Sequence, residues 1–452
     1  MYKKFSVLTK NKIKKFSKII AVDPDKSISH RCYIIASQCI GVSKIKGLNS
    51  EDVQSTKNGL RHLGIKIVKK NDVDLVYGMG ISGFKKFKGI LNFSNSGTSA
   101  RGFLGILTCF PYPVTVTGDS SLKLRPFKRL TDYLEKIGAT ITHPKNKKNS
   151  LPIKICGTKD WALAQKHYVK VKSAQIASAL IYAAIGTTGI TEIIESAETR
   201  DHTQRLLKIL LKKNISVKEK KGERSTKIRG QVEMNSFSIK VASDPSSACY
   251  FCVQTLLAKK SSLLIKNVYI NKTRIGWIQI LKRMGGKIKI FNKKEYFGEP
   301  VGDLFVQSSN LRGIKVPARW ITSSIDDLVA CSLAFGLAKG QSEFSAPEMI
   351  LKESNRIKAI SELLNKLGIR AKIIKKSSLK IWGNPNIKSE TKKIIKISSN
   401  LDHRVAMTCF IASTIVPGAT ILIKDFETIK SSFPNFLKLQ KKIGVKYEIK
   451  KN

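Results

Sequence analysis

An internal repeat constrains this chain more than any other feature. One pattern occurs six times: a polar cap, an apolar helix of three or four turns, a turn, then a short β-rich run. The copies begin DKSISHRCYIIASQCIG, NSGTSARGFLGILTCF, KSAQIASALIYAAIG, DPSSACYFCVQTLLA, SIDDLVACSLAFGLAKG and NLDHRVAMTCFIASTI. With Ser27, Gly97, Ser173, Ser246, Asp326 and Asp402 as markers, successive copies lie 70, 76, 73, 80 and 76 residues apart. Each copy continues into a second element: LRHLGIKI, LTDYLEKIGATI, LLKILLKKNISV, IQILKRMGGKIKI, ISELLNKLGIRAKI and FLKLQKKIGVKYEI. These read as amphipathic helices, mostly closed by a glycine and running into an alternating strand.

A period near 75 residues is too long for a solenoid. The chain is therefore expected to be α/β, with 452 residues forming two domains of three units each. Ser, Thr, Asp and Asn stand where the first helices open, as N-caps should. Cations accompany them: Lys26, Arg31, Arg101 and Arg404, with Arg200 nearby. A helix N-terminus presents unsatisfied N–H groups and about half a positive charge, which favours anions. If the helices of a domain point the same way, their N-termini converge on one polyanion-binding cleft.

Composition sharpens this point. The chain carries 82 Lys and Arg against 32 Asp and Glu, a net charge of +50. Only 16 of the basic residues are arginine, and lysine is spread over the whole length, as codon drift in an AT-rich genome would leave it. Arginine is thus the exception, and half of the 16 lie in or beside helix openings and short polar motifs: Arg31, Arg101, Arg125, Arg129, Arg200, Arg205, Arg356 and Arg404. A planar guanidinium binds phosphate or carboxylate in a bidentate way that an ammonium cannot. The charge alone does not indicate a nucleic-acid binder, because no RNP, helix-turn-helix or zinc signature accompanies it.

Eight scattered cysteines, with one C-x-x-C at Cys249 and Cys252 inside an apolar helix, suit packed thiols in a reducing cytoplasm. The first twenty residues hold seven lysines but no apolar stretch of signal-peptide type, and no apolar run is long enough to span a bilayer. The glycine pattern GMGISG at 78–83 follows a strand-like run but precedes a basic, strand-like FKKFKGILNF, so it lacks the helix that a dinucleotide site needs. His30, His202 and His403 each neighbour Arg or Asp at a helix start, where orientation of neighbours is the expected role.

At these residues the chain resembles the 3-phosphoshikimate 1-carboxyvinyltransferase (enolpyruvylshikimate-phosphate synthase) family. The resemblance spans almost the full length and follows one order of motifs. DKSISHR at 25–31, NSGTSAR at 95–101, GDSSLKLRPFKRL at 118–130, SAQIASAL at 173–180 and TRDHT at 199–203 come first. DPSSACYF at 244–251, IDD at 325–327, LKESNRI at 351–357, LDHRVAM at 401–407 and IKSSFPNF at 429–436 follow.

The resemblance implies the two-domain enolpyruvyl transferase fold, an inside-out α/β barrel. Each domain would hold three βαβαββ units around inward helices, with helix N-termini facing an interdomain cleft. One domain would comprise residues 1–20 plus 242–452, the other 21–241. It also implies transfer of the enolpyruvyl group of phosphoenolpyruvate to the 5-hydroxyl of shikimate 3-phosphate, with release of phosphate, in aromatic amino acid biosynthesis. No cofactor and no metal is expected. The partners would be those two substrates, with no specific nucleic acid and no membrane, in a monomer in the cytoplasm.

By resemblance, Asp326, Glu353 and Lys26 are the catalytic residues, Asp326 near the 5-hydroxyl and the other two at the methylene proton. Shikimate 3-phosphate would be held by Lys26, Ser27, Arg31, Ser173, Ala174, Gln175, Arg200, Asp326 and Lys352. Phosphoenolpyruvate would meet Lys26, Asn95, Gly97, Arg125, Gln175, Arg356, Arg404 and Lys430. Asp326 and Asp402 are also expected to cap their helices. Glyphosate, which competes with phosphoenolpyruvate in this family, is expected to fit beside Gly97, which has no side chain to intrude. Three departures stand out: Asp23-Pro24 replaces the usual Pro-Gly, Asn355 replaces the usual Asp, and Lys430 lies three residues before Phe433 rather than two. The alternative is the related UDP-N-acetylglucosamine 1-carboxyvinyltransferase, whose reactive loop cysteine has no counterpart in GDSSLKLRP.

Overall fold

The structure, a computed structural model, describes residues 4–9, 12–144, 149–158, 162–389 and 394–451. Two compact units divide it. The first holds Met1–Asp23, Ala242–Glu295 and Pro300–Asn452; the second holds Pro24–Val241 and Tyr296–Glu299.

The six leading helices are Lys26–Ser37, Gly97–Leu107, Ala174–Gly186, Pro245–Leu257, Leu328–Gly336 and His403–Ile415. They are buried along almost their whole length, and beyond their polar openings they are largely apolar, as helices enclosed by other elements must be. Asp25, Ser96, Asp244 and Asp402 cap four of them with side-chain hydrogen bonds to first-turn amides. The fifth departs from expectation. Its N-cap is Asp327, not Asp326, so the Asp326 side chain is not spent on capping.

The trailing helices are Glu51–His62, Lys128–Ile137, His202–Leu211, Gly276–Arg283, Arg356–Lys366 and Phe436–Lys442. Five of the six exit through a glycine at positive φ: Gly64, Gly138, Gly285, Gly368 and Gly444. The third repeat has no glycine there, and Lys212 takes a positive φ of 49° instead.

Each repeat builds one sheet. In the second, strand Gly89–Asn92 runs parallel to Val114–Thr117, and Ile153–Cys156 and Thr140–Thr142 add antiparallel. The same order, one parallel pair then two antiparallel strands, recurs in the sheets of the first, third and fourth repeats. Two strands are placed where local pattern does not put them. Ser17–Ile20, just before the first leading helix, pairs with Ser262–Tyr269 of the fourth repeat. Ser238–Lys240, just before the fourth leading helix, pairs with Ile40–Lys46 of the first. The strand Phe5–Thr9 slots antiparallel between Ile421–Lys424 and Tyr447–Lys451, completing the sixth sheet.

The segment after GMGISG is no dinucleotide loop: Gly80 turns at φ 76° and the next regular element is the strand Gly89–Asn92. All eight cysteines are free, and Cys249 and Cys252 lie buried in their helix, where loss of hydration pushes both thiols up. No described helix is long and apolar enough to cross a membrane.

Candidate active site

Within the second unit, three leading-helix openings are laced together by polar side chains. Gln175, in the first turn of its helix, accepts from Arg101 Nη1 at 2.8 Å and donates to Thr98 Oγ1 at 3.1 Å. Arg101 also donates to the Pro126 carbonyl at 3.0 Å and lies 4.5 Å over the Phe127 ring. One arginine therefore ties the Gly97 helix, Gln175 and the segment carrying Arg125. Arg125 donates to Asn95 Oδ1 at 2.5 Å, and Asn95 in turn donates to Asp119 at 2.8 Å. Asn95 thus orients an arginine as well as belonging to the motif.

Arg31 is buried and clamped on three sides: Thr203 Oγ1 at 2.8 Å, Ser178 Oγ at 3.0 Å and the Ser27 carbonyl at 2.8 Å. Lys26 pairs with Asp52 at 2.8 Å. Ser173 is an N-cap whose hydroxyl makes no capping bond. His30 donates to or accepts from Thr56 Oγ1 at 2.7 Å; burial, with Lys26 and Arg31 close by, holds its imidazole well below the usual range. A neutral His30 suits the orienting role.

The first unit gathers carboxylates and arginines more densely. Arg356 is buried, yet meets three carboxylates: Asp402 at 2.8 Å, Glu353 at 2.5 Å and Asp326 at 3.3 Å. Burial opposes its charge, but Asp402 and Glu353 outweigh that and raise its pKa. Arg404 donates to the Asp326 carbonyl at 2.9 Å and to Asp327 Oδ1 at 3.3 Å, and its Nη2 lies 3.9 Å from the Asp326 carboxylate. Lys352 reaches Asp326 at 3.4 Å. Four cations therefore surround Asp326, the fourth being Arg274 at 3.9 Å. Arg274 is itself buried and bonded to Asp244 and Ser246 at the opening of the fourth leading helix. Burial holds the neighbouring Asp327 carboxyl above its usual range.

The structure also sorts the sequence-based candidates. Asp326, Lys352, Glu353, Arg356 and Arg404 meet in one cluster. Lys430 sits on the segment Phe426–Ser431 with its ammonium 5.6 Å above the Phe5 ring, and that segment touches the His403 helix through Ser431 and His403 at 3.3 Å. Asn355 caps the helix Arg356–Lys366 by accepting from the Lys358 amide, so the uncharged residue still performs the local task. Asp23 accepts from the Asn435 amide and side chain, at 3.0 and 2.7 Å. Arg129 is exposed on its helix, unlike the other marked arginines. Sequence reasoning missed Arg224 and Arg274, two fully buried arginines. Arg224 could have been found, because it falls on an inward register of an alternating strand where an apolar residue is expected.

Among the described residues, one trio of His, Cys, Asp or Glu crowds its donor atoms within 4.8 Å: Asp201, His202 and Glu299. His202 Nδ1 bonds Glu299 at 2.7 Å and Asp201 takes Arg205 Nε at 2.8 Å, which accounts for the trio as a hydrogen-bonded cluster.

Comparisons with known proteins place the chain in a family. The family model of EPSP synthase (3-phosphoshikimate 1-carboxyvinyltransferase) matches residues 10–439. The chain belongs to the EPSP synthase family. It is 38% identical over 429 residues to the 3-phosphoshikimate 1-carboxyvinyltransferase of Ruthia magnifica, covering 94% of this chain and 95% of that one. It is 40% identical over 430 residues to the enzyme of that name from Petrotoga mobilis, covering 94% and 96%. The EPSP synthase structure from Acinetobacter baumannii superposes with a TM-score of 0.83 at 31% identity, over 99% of this chain and all of that one. The enolpyruvyl transferase NikO from Streptomyces tendae shares the fold, with a TM-score of 0.77 at 12% identity. The two-domain enolpyruvyl transferase fold expected from the motifs is the fold this family carries.

Proposed function

We propose that the chain transfers the enolpyruvyl group of phosphoenolpyruvate to the 5-hydroxyl of shikimate 3-phosphate, releasing inorganic phosphate. Membership of the family over residues 10–439 carries this reading. The reaction is an addition followed by an elimination. A proton must reach the methylene carbon, the 5-hydroxyl must lose one, and the tetrahedral ketal must then lose a proton from the resulting methyl group as it expels phosphate.

The residue roles are part of the proposal. Asp326 takes the hydroxyl proton, and its four cationic neighbours keep it oriented. Glu353, held by Arg356, and Lys26 serve the methylene carbon. Lys26, Arg125, Arg356, Arg404 and Lys430 neutralise the charge of phosphoenolpyruvate, with the Gly97 backbone and the side chains of Asn95 and Gln175 beside it. Ser27, Arg31, Ser173, Gln175, Arg200 and Lys352, with the Ala174 amide, hold shikimate 3-phosphate. Fixed donors aimed at developing charge need no reorganisation during the reaction, which is where most of the acceleration arises. The hydrogen bonds of Arg31 and Gln175 supply that fixity. One copy of the chain, in the cytoplasm, suffices for these roles.

Phosphate release from phosphoenolpyruvate, measured with each acceptor in turn, tests the reading. Turnover with shikimate 3-phosphate and none with UDP-N-acetylglucosamine is expected. The reverse would replace it with the sugar-nucleotide reaction.

Gly97 sets a second test. A Cβ built there would lie 2.8 Å from Arg101 Nη1 and 3.2 Å from Arg125 Nη1. Both guanidinium tips would have to give way, displacing groups that the proposal assigns to phosphoenolpyruvate and its scaffold. Overpacking of this kind is worth ~1–3 kcal/mol, so Gly97→Ala should raise the KM for phosphoenolpyruvate roughly tenfold. Wild type should be inhibited by glyphosate competitively with phosphoenolpyruvate, and the variant should be relieved of it. Normal wild-type turnover in excess glyphosate would remove Gly97 as the determinant.

A further inference from the structure

The third repeat contains a buried ionic device that the roles above do not use. Its sheet places Arg224 on the central strand Glu223–Arg229, directly opposite Glu195 on one neighbour and Glu219 on the other. Strand alternation turns Arg224, Thr226 and Ile228 inward, and the Arg224 side chain is wholly buried. A charge in such a place is destabilising unless paired and hydrogen-bonded.

Its partners show where it acts. Nη2 donates to the Ala197 carbonyl at 2.8 Å and Nη1 to the Thr199 carbonyl at 3.1 Å. Nε donates to Glu219 at 3.0 Å, and Glu195 lies 3.5 Å from Nη1. Glu195 in turn accepts from Thr199 Oγ1 at 2.5 Å and from Gln204 Nε2 at 2.6 Å. The guanidinium therefore grips two carbonyls of the turn that ends at Arg200, and its carboxylate partner grips the same turn and the helix that follows it. A turn carries few ladder bonds of its own, so side chains decide its conformation.

We infer that Arg224, with Glu195, is a positioning residue for Arg200: it fixes the 197–199 turn so that Arg200 is presented to the phosphorylated acceptor. The inference rests on the reading of Arg200 as a shikimate 3-phosphate ligand. Lysine at 224 would keep the charge but could not span both carbonyls from one planar fork.

The test is a double-mutant cycle on the full chain, read as KM for each substrate and as kcat. Arg224→Lys should raise the KM for shikimate 3-phosphate about tenfold, the scale of one lost charge-assisted bond, while kcat and the KM for phosphoenolpyruvate stay within about twofold. Arg200→Ala should raise the same KM, and adding Arg224→Lys to it should cost little more, because the two act as one unit. Equal loss for both substrates, or additive effects in the double variant, would make Arg224 merely structural and overturn the inference. An unchanged KM in Arg224→Lys beside a raised KM in Arg200→Ala overturns it too. An unchanged KM in Arg200→Ala instead removes Arg200 from the acceptor site, and the inference falls with that reading. If Arg224→Lys does not fold, Thr199→Val, which deletes the hydroxyl bonded to Glu195 and to the Ser196 carbonyl, is judged by the same criteria.

Discussion

Asp326→Ala is expected to lower kcat by about 100- to 10,000-fold, the usual contribution of a general acid or base, while anion binding survives. The geometry explains the split. Asp326 stands among Lys352, Arg356, Arg274 and Arg404, at 3.3 to 3.9 Å. Removing the carboxylate takes away the proton acceptor but also the negative charge that stands beside these four cations. Binding of a phosphorylated substrate should therefore be unchanged or tighter. Stability should fall by ~1–3 kcal/mol, because the surrounding donors lose a partner. No helix cap is lost, since Asp327 and not Asp326 occupies that position. Asp326→Asn serves as the isosteric control and should show the same loss of turnover with less loss of stability. Steady-state kinetics, direct binding of shikimate 3-phosphate and thermal melts check all three. Near-native turnover in the folded alanine variant would take Asp326 out of the mechanism.

Arg125→Lys should be the next most damaging change, although it conserves charge. One guanidinium nitrogen of Arg125 is already committed to Asn95, which Asp119 holds from behind. That leaves a guanidinium with a fixed plane, suited to a phosphate or carboxylate. A lysine would lose the Asn95 restraint and the fork together. Charged hydrogen bonds contribute about 1.5–3 kcal/mol each, so the KM for phosphoenolpyruvate should rise by roughly 10- to 100-fold. The KM for shikimate 3-phosphate should move far less. Unchanged phosphoenolpyruvate kinetics would undercut the argument that arginines retained in a lysine-rich chain mark the anion site.

The two predictions rest on different kinds of information. Arg125 was visible as a compositional exception inside a polar motif. The isolation of Asp326 from capping was not visible, because Asp326 and Asp327 are adjacent and chemically alike. Only the path of the chain into Leu328–Gly336 decides which one takes the N-cap position, and Asp327 takes it without a side-chain capping bond. Lys430 was legible as a motif residue, and the structure adds its neighbour, Phe5, from 425 positions earlier in the chain.

By itself, the sequence determined what depends on short-range physics. The six apolar runs with polar openings form six leading helices, four of them with side-chain caps, because caps, periodicity and apolar content act within a few residues. The trailing helices end at glycines wherever a glycine was available to take positive φ. The arginines at helix openings pointed to an anionic ligand for the same local reason. Tertiary structure alone decided the pairings that join distant segments. Ser17–Ile20 joins the fourth repeat, Ser238–Lys240 joins the first, and Phe5–Thr9 completes the sixth sheet. Short strands of similar composition can pair with many partners, and their own residues do not distinguish among them. The same holds for Arg224 and Arg274. Their identity is plain in the sequence, but their task follows from carbonyls and carboxylates that only the folded chain brings within hydrogen-bonding distance.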